Sequence, residues 1–149
     1  IWCRTNLPLP ILEVRRERMA MGDFPGFNAV IVSHAQLRII TSQKIASWYG
    51  ALANIKGVYL ITDTTTGRHY VGKASGNEGI WQRWCAYAAN GHGDNKELKR
   101  LLQEKGAEHM ANFQFSILEI ADTHASDADI LARESYWMAA LKSREHGLN

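Results

Sequence analysis

The sequence predicts an α/β fold of the α+β type. A β-β-α-α-β-α unit with a small three-stranded antiparallel sheet flanked by helices follows an α-rich N-terminal extension. Two observations carry this prediction. Two runs of β-branched and aromatic residues flank a polar turn at residues 63–67, which indicates a β-hairpin. Beyond the hairpin, three segments have the apolar spacing of amphipathic helices and one segment alternates like a half-buried strand.

Length and composition are ordinary for a globular protein and exclude few functions. The chain has 149 residues, of which 46% are hydrophobic and 21% charged, and its net charge is +2. That length allows a hydrophobic core without disulfides, and Cys3 and Cys85 lack the spacing of a disulfide framework or a zinc site. No apolar run approaches the ~20 residues of a membrane span and no secretory signal is present, so we expect a cytoplasmic protein without membrane contact.

Residues 1–55 form the predicted N-terminal arm and short helical extension. Prolines and a basic run at its start are typical of an arm or linker with one short helix. Residues 28–32 are β-branched and apolar, as in a strand, and Ser33 and Gln36 have the spacing of a helix capping box. Ser42 is in position to cap a second helix. Since the chain starts at isoleucine and stops abruptly at asparagine, we also expect further domains in a longer protein.

Residues 56–149 form the main predicted unit, which begins with the hairpin. If the loop contains the four residues 64–67, residue 61 pairs with Tyr70, and Tyr59 and Tyr70 then point to the same face of the sheet. A five-residue loop puts the two tyrosines on opposite faces. The sequence leaves both registers open.

Three helices and one further strand follow the hairpin. Apolar spacing predicts a helix over residues 80–89. The segment Gly91-His92-Gly93 ends this helix, and a second helix follows as far as Gly106. Residues 113–117 alternate between apolar and polar side chains, which indicates the third strand. Ser126 precedes the last helix as an N-cap, with aspartates in the first helical turn.

The apolar stripe of this last helix contains a carboxylate. At ~100° per residue, Ile130 and Trp137 share one side of the helix, and Glu134 falls within the same arc. An unpaired buried carboxylate is costly, so Glu134 requires a cation. Two interpretations remain open: a structural ion pair with Arg83 or Lys73, or a metal ligand in a cleft at the edge of the core.

Arg83 lies on the shoulder of the apolar face of its own helix, beside Tyr87. From such a position a long arginine side chain can extend its charged end into water, which is the more common case for one residue considered alone. A guanidinium held in place there can instead bind a phosphate through its N–H donors.

Two hairpin motifs and three single residues form an ordered set. Gly57-Val58-Tyr59 and Tyr70-Val71-Gly72 are followed by Arg83 on the next helix, Glu134 on a later helix and Asn149 near the end. This set resembles the GIY-YIG nuclease family, with valine in place of isoleucine at positions 58 and 71. The resemblance covers residues 57–149, and residues 70–74 are also similar to the repair excinuclease of this family. It implies a GIY-YIG-like fold and a divalent-metal-dependent endonuclease that hydrolyses phosphodiester bonds in DNA.

The resemblance also implies a role for each matching residue. Glu134 is the single protein ligand of Mg²⁺ (or Mn²⁺), whose other ligands are water and phosphate oxygens. Tyr59 is the general base that activates water, and Tyr70 holds that water or the scissile phosphate. Arg83 stabilises charge on the phosphate.

Eight further residues have two possible roles or weaker support. Lys73 either lowers the pKa of Tyr59 or binds phosphate, since a tyrosine with its usual pKa of ~10 is a poor base at neutral pH. Asn149 orients the backbone or braces the site. Gly72 allows close approach of the substrate or ends its strand, and His92 touches the phosphate or serves only the turn. Phosphate contacts are also possible for Arg68, Lys96, Lys99 and Arg100, although a solvated helix face explains the last three equally well.

Two classes of function remain: an endonuclease, and a non-catalytic nucleic-acid-binding or interaction domain with the same fold. A non-catalytic relative usually lacks the arginine, the glutamate or a tyrosine, whereas this sequence contains all of them. The complete set therefore favours the enzyme, with DNA as its nucleic-acid partner. The fold alone does not indicate which DNA is cut or in which pathway.

Overall fold

The computed structural model describes residues 21–149 of the chain. The first part of the predicted arm, with its basic run and Cys3, therefore lies outside the described residues. Within residues 21–149 the helices and strands are β1 (Ile31–Ser33), α1 (His34–Ser42), α2 (Ala46–Leu52), β2 (Lys56–Asp63), β3 (Arg68–Ala74), α3 (Gly79–Asn90), α4 (Lys96–Lys105), β4 (Phe113–Ala121), α5 (Asp127–Leu141) and α6 (Ser143–His146). Short 3-10 helices lie at Phe27–Ala29 and Ala107–Asn112. No helix in this part of the chain has the length and apolar character needed to cross a membrane.

The sheet has four antiparallel strands in the order β1-β4-β2-β3, and not the three that the sequence predicts. The fourth strand, β1, comes from the predicted extension and pairs with β4, with Ile31 opposite Ser116 and Ser33 opposite Gln114. The sequence pattern indicates a strand here but not its partner, which lies far along the chain. The α+β fold is confirmed, and β1 and β3 are the two edges of the sheet.

The sequence predicts the start of α1 correctly and the start of α2 incorrectly. The predicted capping box is present, because Ser33 Oγ accepts a hydrogen bond from Gln36 N at 3.1 Å and Gln36 Oε1 accepts one from Ser33 N at 2.9 Å. The predicted cap at Ser42 is wrong: Ser42 is the last residue of α1, and α2 begins at Ala46 without a side-chain cap. Both helices bury apolar side chains in the same core as the sheet, namely Leu37, Ile40, Trp48 and Leu52.

The β2–β3 hairpin has the four-residue loop. Ile61 pairs with Tyr70 and Tyr59 pairs with Gly72, so both tyrosines point to the same face, as the first of the two registers requires. Asp63 closes the turn: its Oδ1 accepts hydrogen bonds from Thr65 N at 3.0 Å and from Thr65 Oγ1 at 2.7 Å. The turn therefore determines which side chains reach the large core.

The two faces of the sheet are covered by different helices. Tyr59, Ile61 and Phe115 lie in the large core, where Trp84 of α3 packs edge-on against the rings of Tyr59 and Phe115. On the other face, α5 packs against β2 and β3. Because side chains alternate along a strand, Val58 and Val71 point to that second face. The helix α3, which carries Arg83, and the helix α5, which carries Glu134, therefore lie on opposite sides of the sheet.

The free edge of β3 is occupied by the last residues of the chain. Leu148 N donates a hydrogen bond to His69 O at 2.8 Å. The carboxamide of Asn149 pairs with Val71 in both directions, since Oδ1 accepts from Val71 N at 2.8 Å and Nδ2 donates to Val71 O at 2.9 Å. The Asn149 side chain therefore acts as a short neighbouring strand, which satisfies backbone groups that an edge strand otherwise exposes.

Candidate active site

Three tyrosines meet on the face of the sheet that α3 covers. The hydroxyl oxygens of Tyr59 and Tyr87 are 2.7 Å apart, and these two side chains are 1% and 0% exposed. Tyr70, at 9% exposure, is the most accessible of the three. The sequence pattern does not single out Tyr87 as a site residue, because it reads as one more member of an apolar stripe. Its spacing of one helical turn from Arg83 is the signal that could have identified it.

Gly72 makes room for the ring of Tyr59. A Cβ atom at position 72 would lie 2.4 Å from Tyr59 Cζ and 2.5 Å from its hydroxyl oxygen. The strand also continues past this residue to Ala74, so Gly72 does not end it. The structure thus supplies a packing reason for the glycine that neither predicted role included.

Arg83 reaches this group of tyrosines from α3. Its Nη2 donates hydrogen bonds to Tyr87 Oη and to Gly93 O, each at 3.1 Å, and its guanidinium lies 5.1 Å from the centre of the Tyr87 ring. No carboxylate of residues 21–149 lies within 4 Å of it. Arg83 is therefore a half-buried cation whose partners are neutral, an arrangement that leaves it able to bind an anion.

The phenols are protonated at neutral pH. Burial is the main cause that raises the pKa of Tyr59, Tyr70 and Tyr87 well above the usual value of 10. The positive charge of Arg83 acts in the opposite direction on all three. In this state the tyrosines serve as neutral hydrogen-bonding groups, and each needs an additional cation nearby to become a phenolate.

Glu134 lies on α5 with only 8% of its surface exposed. Neither ion pair that the sequence allowed is present: among the described residues its carboxylate has no cationic nitrogen within 4 Å. Burial raises the pKa of this carboxyl above its usual value of 4.5, while the charges of Lys73 and Arg144 and the backbone N–H of Lys73 oppose that rise. The carboxylate is therefore only partly compensated by the protein.

The surroundings of Glu134 fit a divalent cation held by a single carboxylate. Magnesium commonly binds one or two carboxylates and fills its other positions with water and phosphate oxygens. Residues 21–149 contain no group of three or more side chains that could hold a metal by themselves. An ion at Glu134 would therefore depend on water and on the substrate for most of its ligands.

Lys73 lies on the opposite face of the sheet from Tyr59, the tyrosine predicted as base. It pairs with Val58 across the strands, whereas Tyr59 pairs with Gly72, so the Lys73 side chain leaves the opposite face of the sheet. Its charge acts on Glu134 and is not among the causes that shift the pKa of Tyr59. Of its two predicted roles, the geometry favours phosphate binding.

The two weaker candidates lie at turns. His92 Nδ1 accepts a hydrogen bond from Asp94 N at 2.9 Å, which ties the ring to its own loop, although the next residue supplies the carbonyl bound by Arg83. Arg68 pairs with Asp63 at the turn end of the hairpin. The charges of Arg83 and Glu134 both act on Tyr70: burial, then Tyr87 and Glu134, raise its pKa, while Arg83 lowers it.

Comparison with known proteins gives a relationship to one nuclease domain. No family model and no curated protein matches the chain. Among solved structures, it is similar to the catalytic domain of the homing endonuclease I-TevI, with 30% identity over 63% of this chain and 96% of that domain and a TM-score of 0.48. It is likewise similar to a glutamate-to-alanine mutant of the catalytic domain of the intron endonuclease I-TevI, with 28% identity over 64% of this chain and 92% of that one, again at a TM-score of 0.48.

The fold and the motif residues define a nuclease-type domain built on a small antiparallel sheet. More particularly, the chain belongs to the GIY-YIG nuclease family. This membership rests on the 30% identity over 96% of the I-TevI domain and on the motif residues. The remainder of the chain lies outside the matched part.

Proposed function

We propose that this domain is a divalent-metal-dependent endonuclease that hydrolyses phosphodiester bonds in DNA. The observation that supports this most is that two charges of opposite sign, those of Arg83 and Glu134, act on Tyr70. Arg83 and Glu134 both shift its pKa, and neither charge has an ion-pair partner within 4 Å among residues 21–149. A scissile phosphate would supply a negative partner for Arg83, and a divalent cation would supply a positive partner for Glu134.

Glu134 is the residue that would hold the cation, Mg²⁺ or Mn²⁺. When bound, such an ion supplies Lewis-acid stabilisation of the leaving oxygen. The nearby positive charges of Lys73 and Arg144 favour the ionised carboxylate and so oppose the rise in its pKa that burial causes. Ionisation is necessary because only the carboxylate form is a metal ligand.

Arg83 and Tyr70 bind the substrate around the bond that breaks. Both hydrogens of Arg83 Nη2 are engaged, and a guanidinium has five N–H groups, so three remain for the non-bridging oxygens of a phosphate. Tyr70 orients the attacking water or the phosphate. In the hydrolysis a water oxygen forms a bond to phosphorus, the bond to the leaving sugar oxygen breaks, and the water gives a proton to a base.

Tyr59 is the proposed acceptor of that proton. Burial raises its pKa above 10, so its hydroxyl must first lose a proton in the complex with substrate. The charge of Arg83 and the hydrogen bond from Tyr87 are the groups in the described structure that lower this pKa. The 2.7 Å contact between the Tyr59 and Tyr87 oxygens offers a path along which a phenol proton can move. We expect the cleavage rate to rise with pH between neutrality and about pH 9.

The proposed DNA backbone follows the β3 edge and not the α4 surface. On α4, Lys99 pairs with Asp94 at 2.7 Å and Arg100 pairs with a glutamate one turn earlier, so two of the three predicted phosphate contacts on this helix already have ion-pair partners. Lys73 and Arg144, by contrast, have no carboxylate within 4 Å in the described part of the chain. They can neutralise phosphates on either side of the one that is cut.

Cleavage of supercoiled plasmid DNA during a Mg²⁺ titration tests the proposal. We expect Glu134→Gln to lose roughly a hundred- to a thousandfold in rate while its circular dichroism spectrum is unchanged. Glu119→Gln is the matched control, because Glu119 is a carboxylate that contacts α5 but is already paired with Arg133 at 2.9 Å. It should cleave at the parent rate. Equal cleavage by Glu134→Gln and the parent protein would refute the enzyme assignment.

The same cleavage experiment, together with a DNA-binding measurement, distinguishes the endonuclease from the non-catalytic alternative. A protein that binds DNA with an affinity that falls with salt, but cleaves neither double-stranded nor branched nor single-stranded substrates with any divalent metal, would be the non-catalytic nucleic-acid-binding domain. Including an RNA duplex of the same sequence tests whether the substrate is DNA.

A further inference from the structure

The loop between α3 and α4, residues 90–94, is held by more interactions than a connection of this length requires. Asn90 Oδ1 accepts two backbone hydrogen bonds, from His92 N at 3.1 Å and from Gly93 N at 2.8 Å. The backbone has positive φ at Gly91 (80°), Gly93 (51°) and Asp94 (70°). Since a non-glycine residue rarely adopts such a conformation, the surrounding bonds must maintain it at Asp94.

Gly93 lies directly against the ring of Tyr87. A Cβ atom at this position would be 2.6 Å from Tyr87 Cε1 and 2.9 Å from Cδ1, so any side chain would push the loop off α3. The carbonyl of the same residue accepts the hydrogen bond from Arg83 Nη2. The contact between the loop and the guanidinium therefore depends on the glycine and on the conformation that Asn90 imposes.

The loop affects Arg83 in a defined way. One hydrogen of Nη2 goes to Tyr87 Oη and the other to Gly93 O, so the plane of the guanidinium is held from two directions. A long side chain that is already held loses less conformational freedom when it binds an anion. Correct orientation matters as much, because a displacement of about 1 Å at a reacting group can lower a rate roughly a hundredfold.

We propose that residues 90–94 form a positioning loop for Arg83, in which the carboxamide of Asn90 holds the Gly93 carbonyl against the guanidinium. The inference rests on the proposed function, since it adds Asn90 and Gly93 as positioning residues for a side chain assigned there to the phosphate. Neither residue touches the substrate. Asn90 is exposed, and within residues 21–149 the hydrogen bonds of its side chain go only to its own loop, so its effect on the reaction passes through Arg83.

Three variants test the loop. Asn90→Ala removes the acceptor, and we expect kcat to fall roughly ten- to a hundredfold with a much smaller change in KM. Asn90→Asp retains an acceptor oxygen and should recover most of the rate. Asn95→Ala is the matched control: Asn95 Oδ1 accepts from Leu98 N at 2.9 Å as the N-cap of α4, so its loss weakens a helix end without a bond to Arg83. It should retain the parent kcat.

A second measurement does not depend on catalysis. In NMR spectra of protein labelled with ¹⁵N-arginine, the Nη signals of Arg83 should show restricted rotation in the parent and in Asn95→Ala, and free rotation in Asn90→Ala. Unchanged Arg83 signals in Asn90→Ala, or equal rates for Asn90→Ala and Asn95→Ala, would overturn the positioning role. If the parent cleaves no DNA, the proposed function fails, and the Arg83 signals still decide whether the loop holds the guanidinium.

Discussion

The Arg83 half of the site and the Glu134 half treat a buried charge in different ways. Arg83 is surrounded by neutral oxygens at hydrogen-bond distance, from Tyr87 and Gly93. For Glu134, the backbone N–H of Lys73 and the charges of Lys73 and Arg144 oppose the effect of burial on its pKa. Neither cation reaches ion-pair distance. The difference shows that the fold supplies hydrogen-bond partners for the arginine but no ion-pair partner among residues 21–149 for the carboxylate.

The largest expected effect is at Arg83. Arg83→Met should lower DNA cleavage roughly a hundred- to a thousandfold and also lower the free energy of unfolding by about 1–2 kcal/mol, because the Gly93 carbonyl and the Tyr87 hydroxyl lose their donor. Cleavage kinetics and urea unfolding measure the two effects. Arg100→Met, on the exposed surface of α4, is the control and should change neither. An inactive Arg83→Met protein of parent stability would mean that the fold does not place the guanidinium.

The next effect concerns the packing that holds Tyr59 on the arginine side. Gly72→Ala should destabilise the protein by about 1–3 kcal/mol, because the added methyl group overlaps the Tyr59 ring. Gly50→Ala is a matched control with nothing within 4 Å of the added Cβ, and its position inside α2 predicts unchanged or slightly higher stability. Thermal unfolding of the two variants gives the comparison. If Gly72→Ala remained as stable as Gly50→Ala but lost DNA affinity, the glycine would serve the substrate instead.

A smaller effect is expected at the β3 edge, on the Glu134 side. Asn149→Ala removes both bonds to Val71 and should lower stability by about 1–2 kcal/mol, with increased hydrogen exchange at the Val71 amide. Asn54→Ala loses one exposed side-chain bond, to Gly50 O at 2.7 Å, and serves as the control. Exchange at Val71 that stayed as slow as in the parent would show that the edge does not need the carboxamide.

The smallest expected effect is a dependence of protein stability on pH, which arises from Glu134. Burial raises the pKa of Glu134 in the folded state, so the folded protein holds this proton more tightly than the unfolded chain. Stability from this group is therefore present at low pH and is lost as the pH rises through the folded pKa, from just above 4.5. Glu134→Gln should equal or exceed the parent in stability at neutral pH, by at most about 1 kcal/mol, and the difference should vanish near pH 4. A variant less stable than the parent at neutral pH would indicate a satisfied carboxylate.

Patterns of short range predicted much of this molecule. The hairpin, the Ser33 capping box and the carboxylate in the stripe of α5 each depend on neighbouring residues. The register of the hairpin, which puts Lys73 and Tyr59 on opposite faces, became known only from the structure. The pairing of β1 with β4 and the return of Asn149 to Val71 join distant segments, and no local pattern encodes them. The metal, the base and the DNA substrate stay predictions, since they depend on molecules that bind and not on the fold.

The pairing of β1 with β4 has a practical consequence for anyone who would transplant this catalytic unit into a fusion protein. A fragment cut just before β2 would carry every motif residue of the family, yet residues 114–116 of β4 would lose their partner strand. The outer edge of β4 would then be unpaired along its whole length, Phe113–Ala121. It would also lack Leu37, Ile40 and Leu52, each 0% exposed in the intact domain. Such a fragment is expected to associate with itself through that edge and through the uncovered apolar surface. A usable cassette therefore has to begin upstream of Val30, even though the motifs begin at Gly57.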